Sequence, residues 1–161
     1  MPAHRTDVQT RFGDTDALGH VNNASFASYA ELARLDFMSR LGRAVTSLIL
    51  ASLHMDFRRQ VLFRDSVYVE TRVGRVGTTS VTLLQTVVAN DERAADIRSV
   101  VVYFDYAAGK PRPLTDEMRA TLTPFLESDA PSSASQTAAA DGAAATRRAL
   151  AAESAARERS L

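Results

Sequence analysis

The chain reads as an α+β protein in which one long helix lies across a single antiparallel sheet. Three observations predict this. The segment from Ala24 to Leu41 carries a helical apolar period with no Pro or Gly in it, and the later segments carry a period of two. The order is strand, helix, then four strands, which is segregated rather than alternating.

The first strand is expected from Arg5 to Phe12 and runs straight into the polar stretch GDTDALGHVNNA, Gly13 to Ala24. The helix follows. Neither Pro nor Gly interrupts Ala24 to Leu41, and Phe26, Ala30, Ala33, Phe37 and Leu41 trace one apolar face. Asn22 or Asn23 is expected to cap its start, since an Asn side chain accepts a bond from the orphan amides of the first turn, and Gly42 to close it. In ASLHMDFRRQ, Leu53, Met55 and Phe57 share one strand face while Ser52, His54, Asp56 and Arg58 share the other. VYVETRV repeats the pattern, with Val67, Val69, Thr71 and Val73 alternating with Tyr68, Glu70 and Arg72. SVTLLQTVVA and IRSVVVYFDY are apolar on both faces, as central strands are. The links VGTT and ANDERA are short and carry turn residues, so these strands are expected to be hairpin neighbours. A short last helix is expected from Thr115 to about Leu126, capped by Thr115. A sheet apolar on both faces with one long helix to cover it leaves apolar surface over, and assembly into a homodimer or homotetramer is the simplest cover.

The folded domain is expected to end near residue 127. From Ser128 to Leu161 Ala and Ser dominate and large apolar residues almost vanish, so this tail is expected to be disordered or marginally helical.

At 161 residues the chain fits one domain able to bury a core without staples. The 19 basic and 19 acidic residues cancel, so no global field favours nucleic acid or an anionic membrane. All but one of the basic residues are Arg, the exception being Lys110, a bias that suits phosphate but also follows from codon usage. There is no Cys, which excludes disulfides, thiolate metal sites and Cys nucleophiles. No apolar run approaches the ~20 residues of a membrane span, and MPAHRTDVQTRF lacks the apolar core of a secretory signal, so the expectation is a cytoplasmic protein.

The polar stretch concentrates reactive groups. Asp14, Asp16 and Gly19 match part of a calcium loop, but Leu18 and Ser25 stand where further oxygen ligands are needed. A transition-metal site from Asp14, Asp16 and His20 has only one imidazole, a thin ligand set, and no metal is expected. Asp14 is best read as a turn residue. Asp16, just before the helix, is placed near amides that carry about half a positive charge at the helix N-terminus. A carboxylate beside such an end is half an acyl-transfer site.

At these residues DTDALGHVNNASFASYAELAR resembles the signature of hotdog-fold acyl-CoA thioesterases of the 4-hydroxybenzoyl-CoA thioesterase type, and VGTTSV fits the link between two of their strands. The resemblance covers Arg5 to about Leu126. It implies a hotdog fold and hydrolysis of an acyl-CoA thioester without a cofactor. It places Asp16 at the catalytic carboxylate, as nucleophile or as base toward water, and the Asn23 main-chain amide at the oxyanion donor. The site is then expected at a subunit interface. His20 either orients the carbonyl or a water, or is a loop imidazole bonded to nearby backbone. Glu31 is the alternative catalytic carboxylate, as in some hotdog thioesterases; otherwise it forms an intrahelical or subunit-interface ion pair with Arg34, which interrupts the apolar arc of the helix. A dehydratase is disfavoured by the lack of a His on the helix.

The phosphates of coenzyme A call for cations at the mouth of the site, and Arg58, Arg59 and Arg64 in FRRQVLFRD are the candidates, with a solvated strand edge as the plainer reading of each. The amides and hydroxyls of Gly77, Thr78, Thr79 and Ser80 are weaker candidates for the same ligand. His4 and His54 are expected to be solvent-exposed. The rival function is a non-catalytic binder of acyl-CoA or acyl-carrier protein on the same fold.

Overall fold

The computed structural model describes residues 2–40 and 47–127. The expected helix stop at Gly42 and the expected tail from Ser128 lie outside the described residues. The elements are β1 (His4–Val8), α1 (Asn23–Arg40), β2 (Leu48–Phe57), β3 (Val67–Val76), β4 (Ser80–Ala89), β5 (Glu92–Asp105), β6 (Lys110–Pro111) and α2 (Asp116–Leu122), with single 3-10 turns at Phe12–Asp14 and Thr123–Phe125. The strands form one antiparallel sheet in the order β1-β3-β4-β5-β2, with β6 paired to the end of β5. The five expected strands make the main path. β6 escaped the sequence reading because two residues carry no period.

Local chemistry sets the boundaries. β1 ends at Val8 instead of Phe12, because Arg11 and Phe12 enter a 3-10 turn in which the Asp14 N–H donates to the Arg11 carbonyl at 3.0 Å. The start of α1 is capped by Asn22, whose Oδ1 accepts the Ala24 N–H at 2.9 Å. Thr115 caps α2 by accepting from Met118 N–H at 3.2 Å, and Pro124 turns the rest of the expected last helix into a 3-10 turn. The β4–β5 hairpin turns on Asn90 and Asp91, both in the left-handed region at φ 51° and 62°, as a two-residue primed turn demands.

The alternation of β3 holds: Val67, Val69, Thr71 and Val73 are all buried and face α1. Register shifts mark β-bulges between Leu50 and Ser52, between Val73 and Arg75, and between Val87 and Val88. Gly74 sits in the second of these, where a Cβ would come within 2.9 Å of the Leu84 side chain.

The core has two halves under α1. Val21, Phe26, Tyr29, Ala30 and Ala33 pack on Val69, Val87, Ala95 and Ile97, while Phe37 and Met38 pack on Val73, Leu83, Val101 and the α2 residues Met118 and Leu122. Ala30 and Ala33 are fully buried, and their small side chains let the helix axis approach the sheet. Between the halves runs a polar strip that the apolar reading of β4 and β5 did not anticipate. Gln85 Nε2 donates to the Ala30 carbonyl at 3.0 Å and Ser99 Oγ donates to Gln85 Oε1 at 3.2 Å, with Thr71 Oγ1 at 3.4 Å from the same Nε2. Gln85 is long enough to reach the helix backbone, so it satisfies the strip from within the sheet.

Two expectations need correction. Arg34 does not pair with Glu31 within one helix; it is buried and its nearest hydrogen-bond partner among the described residues is Ser99 Oγ at 3.4 Å. The helix turns Arg34 toward the sheet and leaves Glu31 in solvent. His4 is not solvent-exposed. The period of β1 puts it on the same face as Thr6 and Val8, where its Nε2 lies 2.8 Å from Asp36 Oδ2 and its ring 5.6 Å from Phe37. His54, by contrast, stands in solvent beside Asp56, as expected.

Apolar surface is indeed left over: Leu35 and Leu32 on α1 and Leu50 on the edge strand β2 are exposed. Among the described residues no helix is long and apolar enough to cross a membrane.

The packing has a measurable consequence. Phe37→Ala is expected to lower the unfolding free energy by about 3–5 kcal/mol, the usual cost of emptying a fully buried aromatic site. Phe12→Ala, at a ring that is 81 % exposed, is expected to change it by less than about 0.5 kcal/mol. Urea unfolding of the two variants separates them.

Candidate active site

The polar stretch folds as a loop drawn shut at its neck. The Asn22 N–H donates to the Asp14 carbonyl at 2.8 Å, and Thr15 and Val21 bridge antiparallel just inside it. The loop is stitched to the β2–β3 connection by the Val21 N–H, which donates to the Val61 carbonyl at 2.7 Å, and by a bridge between His20 and Leu62. Gly19 makes the return with φ 79°, a left-handed conformation that costs glycine nothing.

Inside this loop Asp16 is oriented by its own neighbours. Its Oδ1 accepts the Leu18 N–H at 2.8 Å and the His20 N–H at 3.2 Å, the local bonding by which Asp stabilises turns. Its Oδ2 receives no protein donor among the described residues. The helix start offers the complement. Of the amides that a helix leaves without partners, Ala24 and Ser25 are satisfied by Asn22, whereas the Asn23 N–H meets no protein acceptor among the described residues.

Asp16, His20 and Asn23 line one cleft of about 280 Å³. Arg58, Arg59 and Gln60 form another wall, and Val21, Phe26 and Phe57 give it an apolar side. The Phe57 ring meets Phe26 edge-on at 5.2 Å, which joins the end of β2 to the first turn of α1. The cations are not bare: Arg58 Nε lies 2.8 Å from Asp96 Oδ2, and Arg59 is paired with Glu92. Each still has further guanidinium donors to offer.

The His20 imidazole makes no protein hydrogen bond among the described residues; the backbone of His20 is what the loop uses. Asp14 and Asp16 serve different partners, so the set Asp14, Asp16 and His20 does not converge. Among the described residues no three His, Asp or Glu side chains gather as a metal-binding group.

Other candidates stand apart from the cleft within this chain. Glu31 is exposed on α1, and Arg64 is exposed in the β2–β3 connection. Gly77 to Ser80 close the β3–β4 end of the sheet, where Ser80 pairs with Val102, whereas Phe57 pairs with Ala95 at the cleft end. From Ala95 to Val102 the strand advances ~23 Å. The Gly77–Ser80 turn is held instead by Arg119, whose Nη2 donates to the Gly77 carbonyl at 2.9 Å.

Sequence reasoning assigned Phe26 and Phe57 to the core alone and did not find Gln60 or Val21. The available signal was position: Phe57 and Gln60 flank the arginines already singled out. It also read Asp14 as a turn residue, which it is, without its partner. Tyr29 Oη donates to Asp14 Oδ2 at 2.9 Å. Burial, first, and this bond, second, raise the Tyr29 phenol above its ordinary range. Burial likewise draws the Arg34 guanidinium below its ordinary value, opposed by the nearby Glu31 charge.

A single long helix laid across an antiparallel sheet, with Asp16 and Asn23 lining one cleft beside its start, is a hotdog-type architecture. The chain belongs to the thioesterase-like superfamily, whose family model matches residues 10–122. Its structure is similar to that of a thioesterase from Thermus thermophilus solved with coenzyme A and zinc, at 36 % identity and a TM-score of 0.70 over 75 % of this chain and 97 % of that one. A predicted thioesterase from Bacillus stearothermophilus is similar at 26 % identity and a TM-score of 0.73, covering 80 % of this chain and all (100 %) of that one. The uncharacterized protein YsmA of Bacillus subtilis is 31 % identical over 80 residues, which are 47 % of this chain and 54 % of that protein, so the match spans about half of the relative's length. The expected hotdog fold is therefore the fold of this chain.

Burial of the Tyr29 phenol, together with its bond to Asp14, sets an alkaline limit. Because the folded phenol keeps its proton at pH values where the unfolded chain has lost it, the stabilisation is complete below a pH of about 10 and fades as pH rises above that toward the folded value. Urea midpoints measured from pH 9 upward are expected to fall more steeply for the wild type than for Tyr29→Phe, and parallel curves would remove the assignment.

Proposed function

We propose that the protein hydrolyses an acyl-CoA thioester to the free carboxylic acid and coenzyme A, as a cytoplasmic homodimer or homotetramer. One observation carries the reading. The unclaimed Oδ2 of Asp16 and the unclaimed N–H of Asn23 share a single cleft, so a carbonyl group placed between them meets a nucleophile or base on one side and an oxyanion donor on the other.

As nucleophile, Asp16 Oδ2 attacks the thioester carbon and the carbonyl oxygen becomes an oxyanion that takes a hydrogen bond from Asn23 N–H. The thiolate of coenzyme A leaves, and water then cleaves the mixed anhydride to restore the carboxylate. As base, Asp16 takes a proton from a water that attacks the same carbon. In both routes Oδ1 stays bound to the loop amides, which keeps Oδ2 aimed. His20, with an uncommitted imidazole at the same cleft, is suited to orient the carbonyl or the water. The apolar side made by Phe26 and Phe57 suits the acyl group, and Arg58 and Arg59 at the opposite wall suit phosphate oxygens. Likeness to a Thermus thermophilus thioesterase solved with coenzyme A supports the choice of ligand. Arg64 and the Gly77–Ser80 turn join this site only if a second copy brings them there. The exposed Leu32, Leu35 and Leu50 offer a second copy apolar surface to cover.

The rival is a binder of acyl-CoA or acyl-carrier protein without turnover. Thiol release measured over short, medium, long and aromatic acyl-CoAs decides between them. The wild type is expected to release thiol from at least one of these, and Asp16→Asn to lower kcat by about 100-fold or more. Tight binding without thiol release would establish the binder, and equal rates in the variant would remove Asp16 from the chemistry. Arg58→Ala and Arg59→Ala are expected to raise KM several-fold, with kcat little changed.

A further inference from the structure

We propose that Asp14 and Tyr29 form a latch that holds the Asp16 loop in register with the start of α1, which makes them positioning residues for the reaction. The inference rests on the reading of Asp16 as the reacting carboxylate.

Asp14 is bonded at every acceptor that matters to this junction. Its Oδ2 accepts the Arg11 N–H at 2.8 Å and the Tyr29 Oη–H at 2.9 Å. Its main-chain carbonyl accepts the Asn22 N–H at 2.8 Å and the Ser25 Oγ–H at 2.9 Å. One residue therefore ties together the 3-10 turn before the loop, the last residue after it, and the first and second turns of α1. Asp16 is two residues from this knot, and Asn23 is one residue past its far side. Any rotation of the turn about the neck moves the carboxylate relative to the helix amide.

The latch is separable from the fold. The Tyr29 ring is buried and packs 6.2 Å from Phe26, and Tyr29→Phe keeps that ring while removing only the donor. The bonds from Asn22 N–H and Ser25 Oγ to the Asp14 carbonyl, and the Thr15–Val21 bridge, are untouched by the substitution. What is lost is the tie between the turn and the second turn of the helix. A carboxylate accepting from a buried hydroxyl makes a charge-assisted, directional bond, here of 2.9 Å, which suits a registering role. A displacement of about 1 Å at reacting atoms is enough to cost up to about 100-fold in rate.

The test uses the full chain and two readouts. Tyr29→Phe is expected to lower kcat for thiol release about 10-fold or more with KM within about twofold, because ligand binding by the arginine wall is unaffected. Asp14→Ala is expected to lose at least as much, the double variant no more than Asp14→Ala alone, and Asp14→Asn, which keeps an oxygen acceptor, to recover most of the rate that Asp14→Ala loses. Independently of activity, amide hydrogen exchange at Asp16 and Asn22 is expected to speed up at least about 10-fold in Tyr29→Phe while exchange at Leu83 in β4 stays unchanged. Unaltered exchange at Asp16 and Asn22 overturns the latch, as does an additive double variant. A wild type that releases no thiol but shows the exchange change would retain the latch and discard the thioesterase reading.

Discussion

The contact between α1 and the sheet is the constraint on which the other features depend. Ala30 and Ala33 lie fully buried at its centre, so the helix axis is held close, while Phe26 and Phe37 anchor its two ends in separate halves of the core. A helix fixed at both ends has a fixed first residue. Asn23 thus meets the cleft at a place set by packing well away from it, and the loop before it needs only to bring one carboxylate to that place. Burial of a Phe side chain is worth about 1.5–3 kcal/mol, so each anchor outweighs a typical neutral hydrogen bond of the loop, worth about 0.5–1.5 kcal/mol.

The polar strip between the two halves bears on how the helix is registered. Gln85 reaches the Ala30 carbonyl, and Ser99 and Thr71 reach Gln85, so three strands and the helix share one set of bonds. A shift of α1 would take the Ala30 carbonyl away from Gln85 Nε2, at about 1–3 kcal/mol, while the bonds among Gln85, Ser99 and Thr71 stay within the sheet. Apolar contacts alone tolerate such a slide better. The strip therefore acts on position more than on stability. Arg34 adds a cation to it with only Ser99 Oγ as protein partner among the described residues, and burial disfavours its charge.

Much of this was legible from periodicity and one motif. The helix was found because Phe26, Ala30, Ala33 and Phe37 repeat at helical spacing, and the main strands because alternation in β3 and turn residues at Asn90 and Asp91 are local signals. The end of β1 was not legible, since an extended pattern through Phe12 gives no sign that Asp14 will bend it. Gln85 was hidden for a similar reason: nothing local distinguishes it from Thr82 and Thr86 in the same strand, and only the helix above it explains it. His4 could have been placed by carrying the period of Thr6 and Val8 back two residues. At the cleft, Asp16, His20, Arg58 and Arg59 stood out by type, whereas Gln60 and the Tyr29 donor depend on which distant segments meet. Gly77 to Ser80 were read from a short link between two strands and its residue types, and they sit at the far end of the sheet within this chain.

The three β-bulges have a further implication for how the length of this chain is constrained. Each inserts an unmatched residue, sharpens the local twist, and returns the strand to the same inward set afterward. Curvature around α1 is thereby written as insertions in β2, β3 and β5, not as a special composition. The residue spacing across Leu50–Ser52, Val73–Arg75 and Arg93–Ala95 is therefore a constraint of its own, because without the unmatched Ala51, Gly74 or Ala94 the ladder would run regular and the local bend would be lost.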